Sequence, residues 1–386
     1  RCFMEFQIFL PTKVFFGKGD LSKIKEIKNF LGKRALIVTG QKSTKVSGSL
    51  SNLINYLKEV DVNFVLFDKV IPNPDTKIVL EGGEKYIEND CTSIIAIGGG
   101  SSIDAAKAIG IYAVNREIAP FLTGEKVLKN KIPTLVAIPT TSGTGSEVTK
   151  FAVITYENKK LAITSELIIP DFAILDPLLT LTMNEKIVRD TGLDALSHAL
   201  EGLFSIGSTP FSDIFGYESI KIIYKYLPRS FSSSEDLEAR EMMHLASMYA
   251  GIQISHSGTG IVHAMGYPLT LRYEFPHGYS NALLMPYVFK FELPNVYEKM
   301  AKVIEVLDLS TGDKYKDAEK LIELLVNLNK MMNVPLSLKD LGVEKNELEI
   351  FADEVDKNER LKKISPRAPN YDEILSIYKN AYLGVL

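Results

Sequence analysis

Cysteine is nearly absent from this chain. Cys2 and Cys91 are the only two in 386 residues, and they belong to no CxxC pattern. This excludes a disulfide framework and a thiolate zinc site, so any metal must be held by nitrogen and oxygen. Long apolar runs are lacking as well: no stretch reaches the ~18 residues of a membrane span. The segment RCFMEFQIFLPTKVFF carries a proline and scattered charges and has no small-residue cleavage site, so it does not read as a signal peptide. Nor is charge of one sign concentrated anywhere. The 44 basic and 48 acidic residues give a formal net charge of −4, which offers no electrostatic ground for binding nucleic acid or an anionic membrane. What remains is the composition of a globular cytoplasmic protein, 46% apolar and 24% charged, long enough to bury two cores.

Two rhythms divide the chain. Through RALIVT, GSLSNLINYLKEV, NFVLFD, TKIVLEGGEKYIEND, TSIIAIGGG, SIDAAKAIGIYAV and TLVAIP, short β-rich runs alternate with helical stretches. That order predicts a parallel sheet with helices on both faces, which binds ligands beyond the carboxyl ends of its strands. After AILDPLLTLTMNE, helical periodicities such as DLEAREMMHLASMYAGIQI and YKDAEKLIELLVNLNKMM take over. The expected organisation is therefore an α/β domain over residues 1–180 and an all-α domain over 181–386.

Two loops in the first half are candidates for a cofactor. SIIAIGGGSSIDAAKAI runs from an apolar strand through three glycines into a helix. The glycines allow close backbone approach, and the free N–H groups of the helix start suit a pyrophosphate. It is not the GxGxxG fingerprint, and a ligand-free βα turn has the same local pattern. The second loop, IPTTSGTGSEVT, also follows an apolar strand and offers the hydroxyls of Thr140, Thr141, Ser142, Thr144 and Ser146. Hydroxyls this dense at the same sheet edge favour a cofactor, and two loops favour a dinucleotide.

The chain has five histidines. TGLDALSHALEG spaces Asp194 and His198 four residues apart in a helical stretch, which puts both on one face. Taken alone, such a pair also reads as a surface hydrogen bond, His263 as a core residue and His277 as a loop residue. Together the four make an N₃O set that suits Zn²⁺ or Fe²⁺. His244 and His256 read as structural.

The motifs GGGSSID, PTTSGTGSEVT, DALSHALEG, GTGIVHAMGYPL and PHGYSNALLMP occur here in the order of a known family. Over essentially its full length the chain resembles the iron-dependent (group III) alcohol dehydrogenases. The resemblance implies a Rossmann-like nucleotide-binding domain followed by a helical metal-binding domain, the dehydroquinate synthase-like fold. It also implies a homodimer, for which the β-rich FQIFLPTKVFF offers a pairing edge. The implied activity is nicotinamide-dependent oxidation of a small primary alcohol or reduction of the aldehyde. One divalent ion, Fe²⁺ or else Zn²⁺, would be held by Asp194, His198, His263 and His277. Cofactor contacts would fall on Asn73, Gly98, Gly99, Gly100, Ser101, Asp104, Thr140, Thr141, Ser142, Thr144, Lys160 and Leu179. Phe151, Ile254, Thr259 and Tyr267 would line the substrate pocket, and the ring of Phe151 suggests a narrow one.

Two positions depart from the family pattern. Where many members have aspartate after the first strand, ALIVTG ends in Gly40, with Ser43 and Lys45 following. An aspartate there would repel a 2′-phosphate; glycine with a hydroxyl and an ammonium nearby removes the repulsion and adds donors, so NADP(H) is expected over NAD(H). Tyr267 stands where many relatives have histidine, so it either hydrogen-bonds the substrate as a catalytic group or fills space. The alternatives are a glycerol or diol dehydrogenase using NAD(H), a dehydroquinate synthase-like lyase, and a non-catalytic metal- and nucleotide-binding protein. The lyase is disfavoured because residues 190–280 contribute few cations.

Overall fold

The computed structural model describes residues 5–386. It divides into two compact units, Phe9–Met183 and Asn184–Leu386, the latter joined by residues 5–8.

The first unit follows the alternation in the sequence. In chain order it comprises β1 (Lys13–Phe16), α1 (Lys28–Leu31), β2 (Arg34–Gly40), α2 (Ser43–Val46), α3 (Ser49–Glu59), β3 (Asn63–Val70), α4 (Thr76–Glu88), β4 (Ser93–Gly98), α5 (Gly100–Asn115), α6 (Ala119–Leu122), β5 (Thr134–Pro139), the strands β6 (Phe151–Tyr156) and β7 (Lys159–Thr164), and β8 (Phe172–Leu175). Six strands form one sheet in the order β1-β8-β5-β4-β2-β3, while β6 and β7 pair with each other. All pairings in the large sheet are parallel; β6 and β7 are antiparallel. The central strands are buried on both faces, which is why SIIAIG and TLVAIP read as unbroken apolar runs rather than as alternations. Leu36, Val38, Ile94 and Ala96 join one core with Val79 of α4 and Ile109 of α5. Ala35, Ile37, Ile95 and Ile97 join the other with Leu53 of α3 and Leu31 of α1. Of the stretch FQIFLPTKVFF only Lys13–Phe16 is a strand, and it pairs with β8; Phe6, Ile8, Phe9 and Leu10 are exposed.

From β2 the chain places β3 on one side and β4 on the other. The strand order therefore reverses between β2 and β4. In such sheets the crevice beyond the carboxyl ends at this point holds the ligand, and here those ends are Gly40 and Gly98.

The second unit contains α7 (Glu185–Phe204), α8 (Pro210–Ser232), α9 (Leu237–Ser257), α10 (Ile261–Arg272), α11 (His277–Val306), α12 (Lys314–Met331), α13 (Leu348–Asp356), α14 (Glu359–Ile364) and α15 (Tyr371–Leu383). Helix α7 packs against α8, α9 and α11, and every residue from Gly192 to Phe204 is buried. Polar side chains along this stretch must therefore find partners inside the protein. No helix among the described residues is long and apolar enough to cross a membrane.

Helix α4 reaches α5 through glycine. A methyl group at Gly83 would drive into the Tyr112 ring, 2.9 Å from its Cγ, and the ring cannot swing away because its hydroxyl donates to Glu84. The alanine would gain about 1 kcal/mol of helix propensity, but overpacking costs about 1–3 kcal/mol. Gly83→Ala is expected to lower the denaturant midpoint, and an unchanged or raised midpoint would contradict this packing.

Candidate metal centre and cofactor loops

In the first unit the two loops meet at the sheet edge. The Thr140 N–H donates to the Gly98 carbonyl at 2.9 Å. A Cβ at Gly99 would lie 3.2 Å from Thr141 Oγ1, and one at Gly100 would lie 2.5 Å from Thr144 Cγ2. Gly98 has φ +150, a backbone conformation that suits glycine. Helix α5 starts behind Gly99 without a side-chain cap, so its first N–H groups, with Ser101 in the first turn, are available to an anion. The glycines thus form a cradle that side chains would fill, and the hydroxyls of Thr141 and Thr144 lie along it.

The cradle is fixed from behind by charged groups that turn inward. Lys107, fully buried on α5, donates to Ser146 Oγ at 3.0 Å, Thr149 O at 2.9 Å, Thr149 Oγ1 at 3.1 Å and Phe151 O at 2.8 Å. Burial lowers its pKa to about 8, against the attraction of Asp104 and Glu147; burial raises that of Glu147 to about 7. Asp104 accepts from Ser146 Oγ at 2.5 Å and from the Val153 N–H at 3.0 Å. Desolvation holds its carboxyl above the usual range, with Lys107 opposing. Asp104 therefore ties the hydroxyl loop to α5 and β6. Lys160 on β7 lies opposite Thr155 and draws on the Asp104 charge. Asn73, at φ 52, offers its carbonyl to Thr155 Oγ1 at 3.3 Å. Ser142 is buried beside Gly143, and Leu179 packs in the same apolar cluster as Ile97 and Ile138.

At the end of β2, Gly40 has space: a Cβ there would meet only Val70 O, at 3.6 Å. Ser43 and Lys45 of α2 are exposed. Lys45 is paired with Asp68 of β3, and this hydrogen bond is the main reason the Asp68 carboxyl lies below its usual range. That partner, on a neighbouring strand, is invisible in the local sequence.

In the second unit one ligand atom each from Asp194, His263 and His277 fall within 4.8 Å of one another. The Nε2 atoms of His263 and His277 lie 3.8 and 3.9 Å from Asp194 Oδ1. Both separations exceed a hydrogen bond. They approach the spacing of donors around one ion, since ligands ~2.1 Å from a tetrahedral centre stand roughly 3.4 Å apart. This hard, nitrogen- and oxygen-only set fits Fe²⁺ or Zn²⁺. His198, four residues beyond Asp194 on α7, stacks on the His263 ring with centroids 4.7 Å apart and planes at 20°; it stands beside the group of three rather than within it. Tyr267 stacks on His277 at 5.5 Å and 24° and covers its ring.

Two residues missed in the sequence complete the centre. Glu201 accepts from His263 Nδ1. The Asn281 carboxamide donates to Asp194 Oδ1 at 3.2 Å and lies 3.3 Å from His277 Nε2. Each is a lone polar residue in an apolar helical run, ALEGLF and NALLMP, which is the available signal. Glu292, buried and close enough to feel the Glu201 charge, has its carboxyl held well above the usual range by burial first and that repulsion second. Ile254 is buried on α9, and Thr259 is half-buried just before the Gly260 turn. His244 is fully buried, with its pKa lowered to about 4 by desolvation, and His256 Nδ1 bonds Ile252 O at 2.8 Å; neither belongs to the group of three.

Residues 11–177 match the model of a family described as iron-containing alcohol dehydrogenase, and residues 188–382 match that of its C-terminal domain. The chain is 36% identical to the NADPH-dependent butanol dehydrogenase of Clostridium saccharobutylicum, with 97% of each chain covered. It is 33% identical to the NAD-dependent methanol dehydrogenase of Bacillus methanolicus, over 97% of this chain and 99% of that one. Among solved structures, the alcohol dehydrogenase from Oenococcus oeni superposes with a TM-score of 0.93 at 32% identity, covering 98% and 100% of the two chains.

Gly278 is where the group of candidate ligands is most tightly constrained. A Cβ there would collide with the Asp190 carbonyl and lie 2.7 Å from Asp194 Cβ, so relief requires moving α7 or α11 as a whole. Gly278→Ala is expected to cost about 3 kcal/mol, the upper end for overpacking, and to lower metal stoichiometry. Retention of full metal content at an unchanged melting temperature would contradict the assignment.

Proposed function

The chain belongs to the iron-containing alcohol dehydrogenase family and is an NAD(P)-dependent alcohol oxidoreductase; on that premise we propose that it interconverts small primary alcohols and their aldehydes with NADP(H) as the preferred cofactor. The observation that carries the metal-dependent part is the donor group of Asp194, His263 and His277, its members within 4.8 Å of one another. His198 is proposed as the fourth ligand, on the strength of its place beside Asp194 on α7 and against the His263 ring. When bound, a divalent ion here supplies Lewis acidity toward the substrate oxygen, and the nicotinamide supplies or accepts the hydride.

The chain's own residues bind and orient. Gly98–Ser101 at the start of α5 and the hydroxyls of Thr140, Thr141 and Thr144 would hold the pyrophosphate, and Asn73, Ser142, Lys160 and Leu179 would contact the rest of the cofactor. Asp104 and Lys107 keep the two loops in register. Phe151 narrows the space left for the substrate, which favours unbranched substrates. Tyr267 acts by covering His277 through its stacked ring.

The preference for NADP(H) rests on Gly40, which carries no charge to repel a 2′-phosphate, and on the nearby Ser43 hydroxyl and Lys45 ammonium. The Lys45–Asp68 pair works against it, because Asp68 neutralises part of that cation. With the Fe²⁺-loaded protein and butanal, kcat/KM is expected to be at least tenfold higher with NADPH than with NADH; the reverse ratio refutes the preference. Chelation should abolish both rates, and turnover in metal-free protein refutes the metal-dependent mechanism. Gly40 has room for a side chain, so Gly40→Asp is expected to lower kcat/KM for NADPH at least tenfold while sparing NADH, as measured by steady-state kinetics with both cofactors.

A further inference from the structure

We propose that Glu201 is a positioning residue that selects the ring form of His263 offered to the divalent ion, an inference that rests on the metal site proposed above. Asp194 and Glu201 are seven residues apart on α7, and at 3.6 residues per turn two turns bring both carboxyl groups to the same face. One supplies a donor atom to the group of three; the other holds a second donor in place.

The two oxygens of Glu201 have separate partners. Oε1 accepts from the backbone N–H groups of Gly260 at 3.1 Å, Val262 at 2.7 Å and His263 at 3.4 Å. It thereby caps α10, whose N-cap residue, Gly260, has no side chain for the task. Gly260 is small for the same reason: a Cβ there would lie 3.1 Å from that oxygen. Oε2 accepts from His263 Nδ1. An ionised carboxylate only accepts hydrogen bonds, so the Nδ1 atom carries the proton and Nε2 keeps its lone pair. That Nε2 is the atom 3.8 Å from Asp194 Oδ1. A half-turn of the ring would put carbon where each nitrogen now sits. Backbone position, ring orientation and tautomer of His263 are all set by one side chain. A helix cap would require Oε1 alone; the bond from Oε2 to the ring is what a cap leaves unexplained.

Glu201→Gln separates the two roles. Its amide oxygen can still accept from the three backbone N–H groups, which leaves the NH₂ facing Nδ1. Nδ1 must then accept, and the proton moves to Nε2. The opposite rotamer would set NH₂ against three N–H donors, losing three bonds to keep one. The test is the Zn²⁺ dissociation constant of the metal-free full-length protein, measured by competition with a chromophoric chelator, together with the melting temperature without metal. Loss of a carboxylate partner to a ligating histidine weakens metal binding ~10–100-fold. That loss is expected for Glu201→Gln, with the metal-free melting temperature unchanged. Equal Zn²⁺ affinity in variant and wild type overturns the proposal. Absence of Zn²⁺ binding by the wild type overturns the metal site itself. If the variant does not fold, ¹⁵N shifts of the histidine rings in the metal-free wild type decide: Nδ1–H at His263 supports the proposal, and Nε2–H overturns it.

Discussion

The contact between α7 and the first turn of α11 governs the second unit. It is close enough that Gly278 can carry no side chain, and it sets His277, the residue before, against the helix that bears Asp194. The chain reaches this point by leaving α10 after Arg272 and re-entering helix at His277, with Pro276 at the N-cap. Two histidines fourteen positions apart thus come from two helices and meet at one carboxylate. One turn further along α11, Asn281 completes the arrangement by bonding Asp194, and Gly266 on α10 provides the gap its carboxamide oxygen occupies. Small residues here act by what they leave room for.

The first unit solves a related problem with a buried cation. A charge withdrawn from water costs several kcal/mol unless it is fully satisfied. Lys107 meets that condition with four oxygens drawn from the hydroxyl loop and the start of β6. Removing the loop from its position would strand the ammonium, so the lysine opposes movement of the segment. Asp104 adds a second tether one turn earlier on α5. The glycine loop and the hydroxyl loop are separated by roughly forty residues, yet they behave as one surface because both are fastened to the same helix.

Much of this was legible in the sequence because it is carried by local patterns. The parallel sheet follows from apolar runs punctuated by glycine and serine loops, and the fold class follows from the change of rhythm near residue 180. Three of the four candidate metal ligands stood out because histidine is scarce in this chain, and the spacing from His198 together with the family resemblance added Asp194 to them. Residues whose role depends on a distant partner did not stand out. Lys107 reads as an ordinary helical lysine until β6 and the hydroxyl loop close over it, and Glu201 as an ordinary acidic residue until α10 arrives. Lys45 invited reading as an uncommitted cation; its partner Asp68 lies on β3, and only the fold brings α2 beside that strand. FQIFLPTKVFF has strand-forming composition throughout, but only Lys13–Phe16 finds a neighbour along β8.

The burial of α7 from Gly192 to Phe204 has a consequence for supply. Small domains whose only core is their metal stay unfolded without it, whereas here the helix bearing Asp194 and His198 is packed over its whole inner length by apolar neighbours. The proposed donors on this helix are therefore held by apolar packing and not by an ion alone. A nitrogen and oxygen set of this kind ranks divalent metals by intrinsic affinity rather than by function. Occupancy then tracks the surroundings, so the metal content of the protein follows the supply of iron and zinc under which it is made.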